Sequence, residues 1–286
     1  MNRLHALAAL MTLALTASAC GSGGQTAPSA PAAATAAAEA AGAAQQKAAK
    51  VVIGTSTTYP KVFYIDEKGN LTGFDVELVK EIDKRLPDYE FELQAMDFTN
   101  LLLSLETRKI DVIAAQMLRT KEREQKYLFN KEPYTYRQTK IIVSKDNNSP
   151  IKTLDDLKGK KVLTNATSAQ AVLLENYNKA HDNALSIVYQ SGAADDAVSQ
   201  LASGRVDATL AADFTLSLID PQGKLKSVGG ALDSSEVLYV FRKDDPAEQK
   251  LADAFDKALQ AIRSDGTLTR LSERWLGADY TKSPAP

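Results

Sequence analysis

The stretch LETRKIDVIAA, residues 105–115, returns later in the chain as LASGRVDATLAA, residues 201–212. Each has a leucine, four further residues, a β-branched residue and an aspartate: Leu105, Ile110 and Asp111, then Leu201, Val206 and Asp207. In both, an amphipathic helical pattern runs through a basic turn into a short apolar run that reads as a buried strand. Ahead of each copy lies another related pair, VVIGTSTTY (51–59) and KVLTNATSAQ (161–170), each a first strand running into Ser/Thr-rich turns. Matches in this order imply two similar α/β lobes.

The intervening segments agree. FYIDEKGNLTGF (63–74) reads as two short strands around a Gly-Asn turn. FDVELVKEIDKRL places Phe74, Leu78, Ile82 and Leu86 at helical spacing, and Pro87 stops it. FELQA and TKIIVSK read as strands, SAQAVLLENYNKA as a helix, SIVYQ as a strand and DDAVSQLASG as a helix. VLYVF, a long amphipathic helix over AEQKLADAFDKALQAIRSDG and a terminal helix over LTRLSERWLG close the series. Alternating strands and helices imply mostly parallel sheets covered by helices, the doubly wound α/β class.

Composition narrows the function. The 286 residues suffice for two lobes, and 34 basic against 36 acidic residues give a formal charge of −2, so nothing points to nucleic acid. The two histidines, His5 and His181, and the single cysteine form no metal-ligating cluster, so no metal site, cofactor or disulfide is expected. His181 lies in the polar stretch AHDNA and reads as a solvated surface residue rather than a catalytic base.

The first 19 residues read as a leader rather than as fold. Arg3 precedes LHALAALMTLALT, an apolar run too short to span a bilayer comfortably, and TASA then leads into Cys20. Cys20 is either a stray thiol or the point of lipidation. Residues 20–50 are poor in large apolar side chains and read as a disordered Ala/Gly/Ser/Pro tether. Its reach is at most on the order of 100 Å.

In open α/β sheets, ligands bind beyond the carboxyl ends of the strands. Two facing lobes would therefore gather GTSTTY, AAQMLRTKER, TNATSAQ and AADFT around one cleft. TNATSAQ opens a helix, where unpaired N–H groups favour an anion; Ser168 or Thr167 is equally suited to plain N-capping. Within RTKEREQKYLF (119–129), Arg123 offers a planar fork for a carboxylate, with Arg119 as competitor and a solvated face as the plain alternative. Asp213 suits an ammonium or a helix cap, and Tyr59, before Pro60, suits a cleft wall or simple packing.

The segments IGTSTTYP, GNLTGFDVELVKEI, KIDVIAAQMLRTKEREQKYLFNKEPY, GRVDAT and DGTLTRLSERWLG, in this order, resemble the extracytoplasmic amino-acid-binding proteins of ABC transporters, solute-binding protein family 3. The resemblance spans about residues 50–278. It implies the type II periplasmic-binding-protein fold, two α/β lobes joined by two crossing hinge strands, with IIVSK and VLYVF as those strands. Lobe 1 would then be 51–142 plus 238–286, and lobe 2 143–237. It also implies that the arginine of the T-K-E-R segment, Arg123, binds an α-carboxylate together with Thr167, Ser168 and Gln170. Tyr59 would be the first-lobe aromatic, and Gln116 the polar group after the strand.

Two departures stand out. Where the family usually carries its ammonium-binding aspartate, this chain has Ala212, with Asp213 one residue later; FNKEPY is one residue longer than the commoner form. FTNLLLSLETRKID, AAQM, LFNKEPY and NATS look most like the subgroup associated with cystine and related sulfur amino acids. The start resembles a lipoprotein signal with Ala17 in place of the usual leucine. The expectation is a monomeric, lipid-anchored extracytoplasmic protein that is not an enzyme. It would capture a polar amino acid and deliver it to an ABC permease. The alternatives are a cleft enzyme of the prephenate or arogenate dehydratase type, with Asp213 as its acid, or a ligand-sensing module.

Overall fold

The computed structural model describes residues 48–194 and 196–284. Cys20, the leader and all but the end of the expected tether lie outside the described residues. Residues 49 and 50, expected in the tether, are instead the first residues of a strand.

The chain begins with β1 (Ala49–Thr55) and a small antiparallel sheet of β2 (Thr58–Tyr59), β3 (Phe63–Ile65) and β4 (Leu71–Thr72). Helix α1 (Phe74–Asp83), β5 (Tyr89–Ala95), α2 (Leu101–Glu106), β6 (Val112–Ile113), α3 (Lys121–Lys126) and β7 (Tyr127–Phe129) follow. The middle of the chain supplies β8 (Thr135–Ser144), β9 (Lys161–Asn165), α4 (Ala169–Ala180), β10 (Ser186–Gln190) and α5 (Asp196–Ala202). Next come β11 (Ala208–Ala212), α6 (Thr215–Ile219) and β12 (Leu225–Val237). The last elements are β13 (Val240–Arg242), α7 (Pro246–Ser264) and α8 (Thr267–Leu276).

These strands form two five-stranded sheets with one design. The first runs β5-β1-β6-β13-β7 and the second β10-β9-β11-β8-β12. In each, the first three strands are mutually parallel, and the fourth is antiparallel to both its neighbours. That fourth strand is the one arriving from the other lobe: β8 enters the second sheet after β7, and β13 enters the first after β12. The chain therefore crosses twice, between Phe129 and Thr135 and between Val237 and Val240. The junction expected at 142/143 falls inside β8, which pairs along its length with β11 and β12. TKIIVSK is thus only the second half of a longer strand, whose polar first half, TYRQ, hid its start. VLYVF is interrupted: Val237 closes β12 before β13 begins at Val240.

The repeated sequence takes matching positions. Leu105 and Leu201, and Ile110 and Val206, are all buried. Asp111 accepts the Val52 N–H at 2.8 Å and returns its own N–H to the Val52 carbonyl. Asp207 does the same with Lys161, accepting at 2.7 Å. Each aspartate thereby fastens the start of its lobe's third strand to the first strand. The crossings are fastened by Asn130, whose amide donates to Asp256 (2.9 Å) while its carbonyl oxygen accepts the Tyr239 N–H (2.8 Å). Tyr134 and Tyr239, one from each crossing, stack at 4.6 Å between centroids.

Candidate functional site

The cleft between the lobes has a volume of about 130 Å³ and is lined from both sides. Tyr59, Phe98, Gln116 and Arg123 come from the first lobe, and Asn165, Ser168, Gln170 and Thr215 from the second. Three hydrogen bonds close its rim: Tyr59 Oη with Thr215 Oγ1 (2.6 Å), Ala194 N–H to the Thr58 carbonyl (2.8 Å) and Arg123 Nη2 to the Thr167 carbonyl (2.9 Å). Phe214, following β11, stacks on Tyr59 and meets Tyr280 edge-on. The lobes thus touch each other across the rim of the cleft.

Arg123 is placed by its short helix. Thr120 caps α3 by accepting the Arg123 N–H, and every other residue of α3 is exposed while Arg123 is 6% exposed. Its guanidinium donates only to backbone carbonyls, Leu118 O (2.8 Å) and Thr167 O (2.9 Å). Burial and the nearby Arg137 cation push its pKa down to about 10, so it remains charged at neutral pH. Arg119 points outward, pairing with Glu124 and lying over the Phe129 ring.

Opposite Arg123, the second lobe presents the start of α4. Thr167 has φ 62, a conformation rarely used outside glycine and asparagine, which turns its carbonyl toward Arg123. Ser168 Oγ accepts the Ala171 N–H at 3.0 Å, so it caps the helix and lines the cleft at once. The earlier N–H groups of the first turn have no intrahelical acceptor and lie at the positive end of the helix dipole. Thr167 itself does not line the cleft; its carbonyl accepts from Arg123.

Gln116 sits at the end of β6 with φ 50, held there by a buried acid. Asp75 accepts the Gln116 N–H (2.9 Å), the Gln116 side-chain amide (2.7 Å) and the Tyr134 hydroxyl (3.1 Å). Desolvation outweighs these bonds and raises the Asp75 carboxyl to about 6. Because the Gln116 amide nitrogen faces Asp75, its Oε1 faces elsewhere; that atom and Asn165 Oδ1 are buried with no partner among the described residues. Both residues line the cleft.

Asp213 is placed differently from its expectation. β11 ends at Ala212, and Asp213 closes the ladder to β8: its N–H donates to the Gln138 carbonyl and its carboxylate accepts the Gln138 N–H (3.3 Å). Ala212 lines the cleft and Asp213 does not. No bulge carries that carboxylate inward, because the β11–β8 register is regular through Ala212. Among the described residues no group of His, Cys, Asp and Glu is arranged to hold a metal ion.

The sequence reading passed over Arg137. It lies on β8, lines the cleft and is 7% exposed. The signal was its phase: in TYRQTK, alternate residues 135, 137 and 139 are buried, so a cation stands where the strand turns inward. Burial lowers its pKa. The arginine ion pairs of the described residues involve Arg85, Arg108, Arg119 and Arg242, leaving both cleft arginines without a carboxylate partner.

Two α/β lobes meeting over a polar cleft, with two buried guanidiniums that form no ion pair among the described residues, define a two-lobed solute-binding protein. The match to the family model of bacterial extracellular solute-binding proteins, family 3, covers residues 51–278, and the chain belongs to that family. It is 46% identical over 240 residues to the L-cystine-binding protein TcyK of Bacillus subtilis (strain 168), covering 83% of this chain and 87% of that one. Against the L-cystine-binding protein TcyJ of the same organism the identity is 44% over 243 residues, 83% of this chain and 88% of the relative. Among solved structures it resembles the putative L-cystine ABC transporter from Listeria monocytogenes, at TM-score 0.77 and 44% identity, over 83% of this chain and 100% of that one. The family consists of solute-binding proteins that work outside the cytoplasm with ABC importers, and nothing here supports the dehydratase alternative.

Proposed function

We propose that this protein captures L-cystine, or a closely related sulfur amino acid, for an ABC importer. The observation that carries the reading is Arg123: a buried guanidinium, facing the start of α4 across the cleft, whose partners are two backbone carbonyls. Such a group matches an α-carboxylate, which α4's first-turn N–H groups, Ser168 and Gln170 would share. Gln116 Oε1 and Asn165 Oδ1 are acceptors suited to the ammonium, in place of an aspartate: Ala212 has no carboxylate, and the half-buried Asp213 is bonded to the Gln138 N–H. Tyr59 walls the site through its bond to Thr215, so ligand capture and lobe closure use the same residues. Closing around the ligand excludes water, which strengthens every charged contact inside. The relatives named for L-cystine support the choice of ligand.

A thermal-shift screen of the amino acids, followed by calorimetry, tests this. L-cystine at about 100 times its Kd should stabilise the protein by about 2.7 kcal/mol. A screen in which no amino acid raises the melting temperature would end the proposal. For localisation, the reading is a monomer tethered by lipidated Cys20, with two or more acyl chains giving stable membrane residence. Cys20→Ser should release the protein from the membrane fraction, and continued membrane retention would refute the anchor.

A further inference from the structure

We infer that Arg137 binds a second carboxylate, making the cleft selective for amino acids that carry two. This rests on the amino-acid-capture reading above and specifies the ligand class.

The cleft holds two buried guanidiniums, Arg123 on α3 and Arg137 on β8. A ligand with a single carboxylate offers one such acceptor group for two guanidiniums. Arg123 already has two carbonyl acceptors, whereas Arg137 donates no side-chain hydrogen bond to any described residue, and its Nε is fully buried without a partner. An unpaired buried charge is costly, so a fold that keeps one inside a ligand cleft is matched to an anion that arrives with the ligand. The groups around Arg137 do not supply it. Asp213 is bonded to the Gln138 N–H, Asp75 is committed to Gln116 and Tyr134, and Asp233 is bonded to Ser235. Tyr59 and Tyr134 are hydroxyls already engaged with Thr215 and Asp75. The two arginines also reach the cleft from different supports, α3 beside the rim and β8 beside the crossing. They are set to hold two ends of one ligand.

The test uses two disulfides that differ only in the second carboxylate: L-cystine, and the mixed disulfide of cysteine with cysteamine. Titration calorimetry is run on the full chain and on Arg137→Met, Arg137→Lys and Arg123→Ala. The wild-type protein should bind L-cystine about 30-fold or more tightly than the mixed disulfide. Arg137→Met should lose that preference, falling about 30-fold for L-cystine and less than threefold for the mixed disulfide. Arg137→Lys should keep part of it. Unliganded Arg137→Met should melt no lower than wild type, since it removes an unpaired buried charge. Equal weakening of both disulfides by Arg137→Met, as expected if both arginines clamp one carboxylate, would overturn the proposal; so would an unchanged affinity for L-cystine. In either case a loss of both ligands by Arg123→Ala leaves the capture reading standing. A wild-type protein that binds neither disulfide removes the capture of cystine and this inference together.

Discussion

The two lobes share a strand order and a strand-fastening aspartate, yet they are packed and equipped differently. In the first, β1 carries Gly54, and a Cβ there would fall 2.3 Å from Ile110 Cδ1. Aligning the lobes on their aspartate partners, Val52 and Lys161, sets Gly54 against Leu163 and Ile110 against Val206; Leu163 and Val206 share one cluster. A large residue on the turn is matched with a small one on the strand, and the second lobe reverses the assignment. The first lobe's core is one continuous cluster, joined at the cleft by Ala212 and Phe214 of the second lobe and including an aromatic series from Tyr134 through Tyr239 and Phe255 to Phe91, beneath α7 and α8. The second has two smaller clusters. The difference is one of supply: the heavily built lobe brings Arg123 to the cleft on α3, and the lighter lobe brings the start of α4 together with Arg137 on β8.

Four measurements would break or sharpen that contrast. The largest effect should come from Arg123→Ala, which removes the guanidinium proposed to hold the ligand's carboxylate and should weaken ligand binding by about 2–5 kcal/mol. Calorimetry showing less than a twofold loss would shift the ligand's anchor to the second lobe. The next concerns Asp75. Its folded pKa of about 6 lies above its ordinary 3.8, so its protonated form contributes stability that is complete below about pH 4 and lost as pH rises through 6. Denaturant melts of wild type against Asp75→Asn should differ between pH 4 and 7 by about 2 kcal/mol, in the sense that wild type loses ground as pH rises. Parallel curves would show that Asp75 is not shifted.

The matched aspartates give a smaller and more pointed comparison. Asp111 also pairs with Arg242, itself partly buried and bonded to Glu248, whereas no ion pair is formed by Asp207 among the described residues. Asp111→Ala should cost about 2 kcal/mol of stability and Asp207→Ala about 1 kcal/mol. Equal losses would mean that the ion pair adds nothing. Ser168→Ala should have the smallest effect, about 1 kcal/mol, through the lost cap on α4. Hydrogen exchange should register it in α4 and leave α1 unchanged; a loss spread over both lobes would contradict their separateness.

Much of this was legible in the sequence, because periodicity survives wherever a segment has one buried face. The paired helix–turn–strand motif set the two-lobed plan, and Arg123 could be named by its motif while its helix gave only a run of charges. The crossings were misplaced because their specification is not local. Asn130 and Asp256 meet over a long stretch of chain, and TYRQ looks polar though alternate residues of it face inward. Asp213 stands one residue past the usual position, which in a strand is the difference between one face and the other, and the sequence left open whether a bulge would bring it inward. Arg137 escaped notice since a lone cation between tyrosine and glutamine carries no sign of depth until the sheet beneath it is known.

The exchange of fourth strands has a bearing on synthesis. Everything in the second sheet lies between residues 135 and 237 and is finished in one pass of translation. The first sheet must wait for β13, and its apolar covering for α7 and α8, all made after that. A nascent chain released at residue 237 would therefore hold one complete lobe and one unroofed, sticky half. The portion emerging earliest is the last to become native.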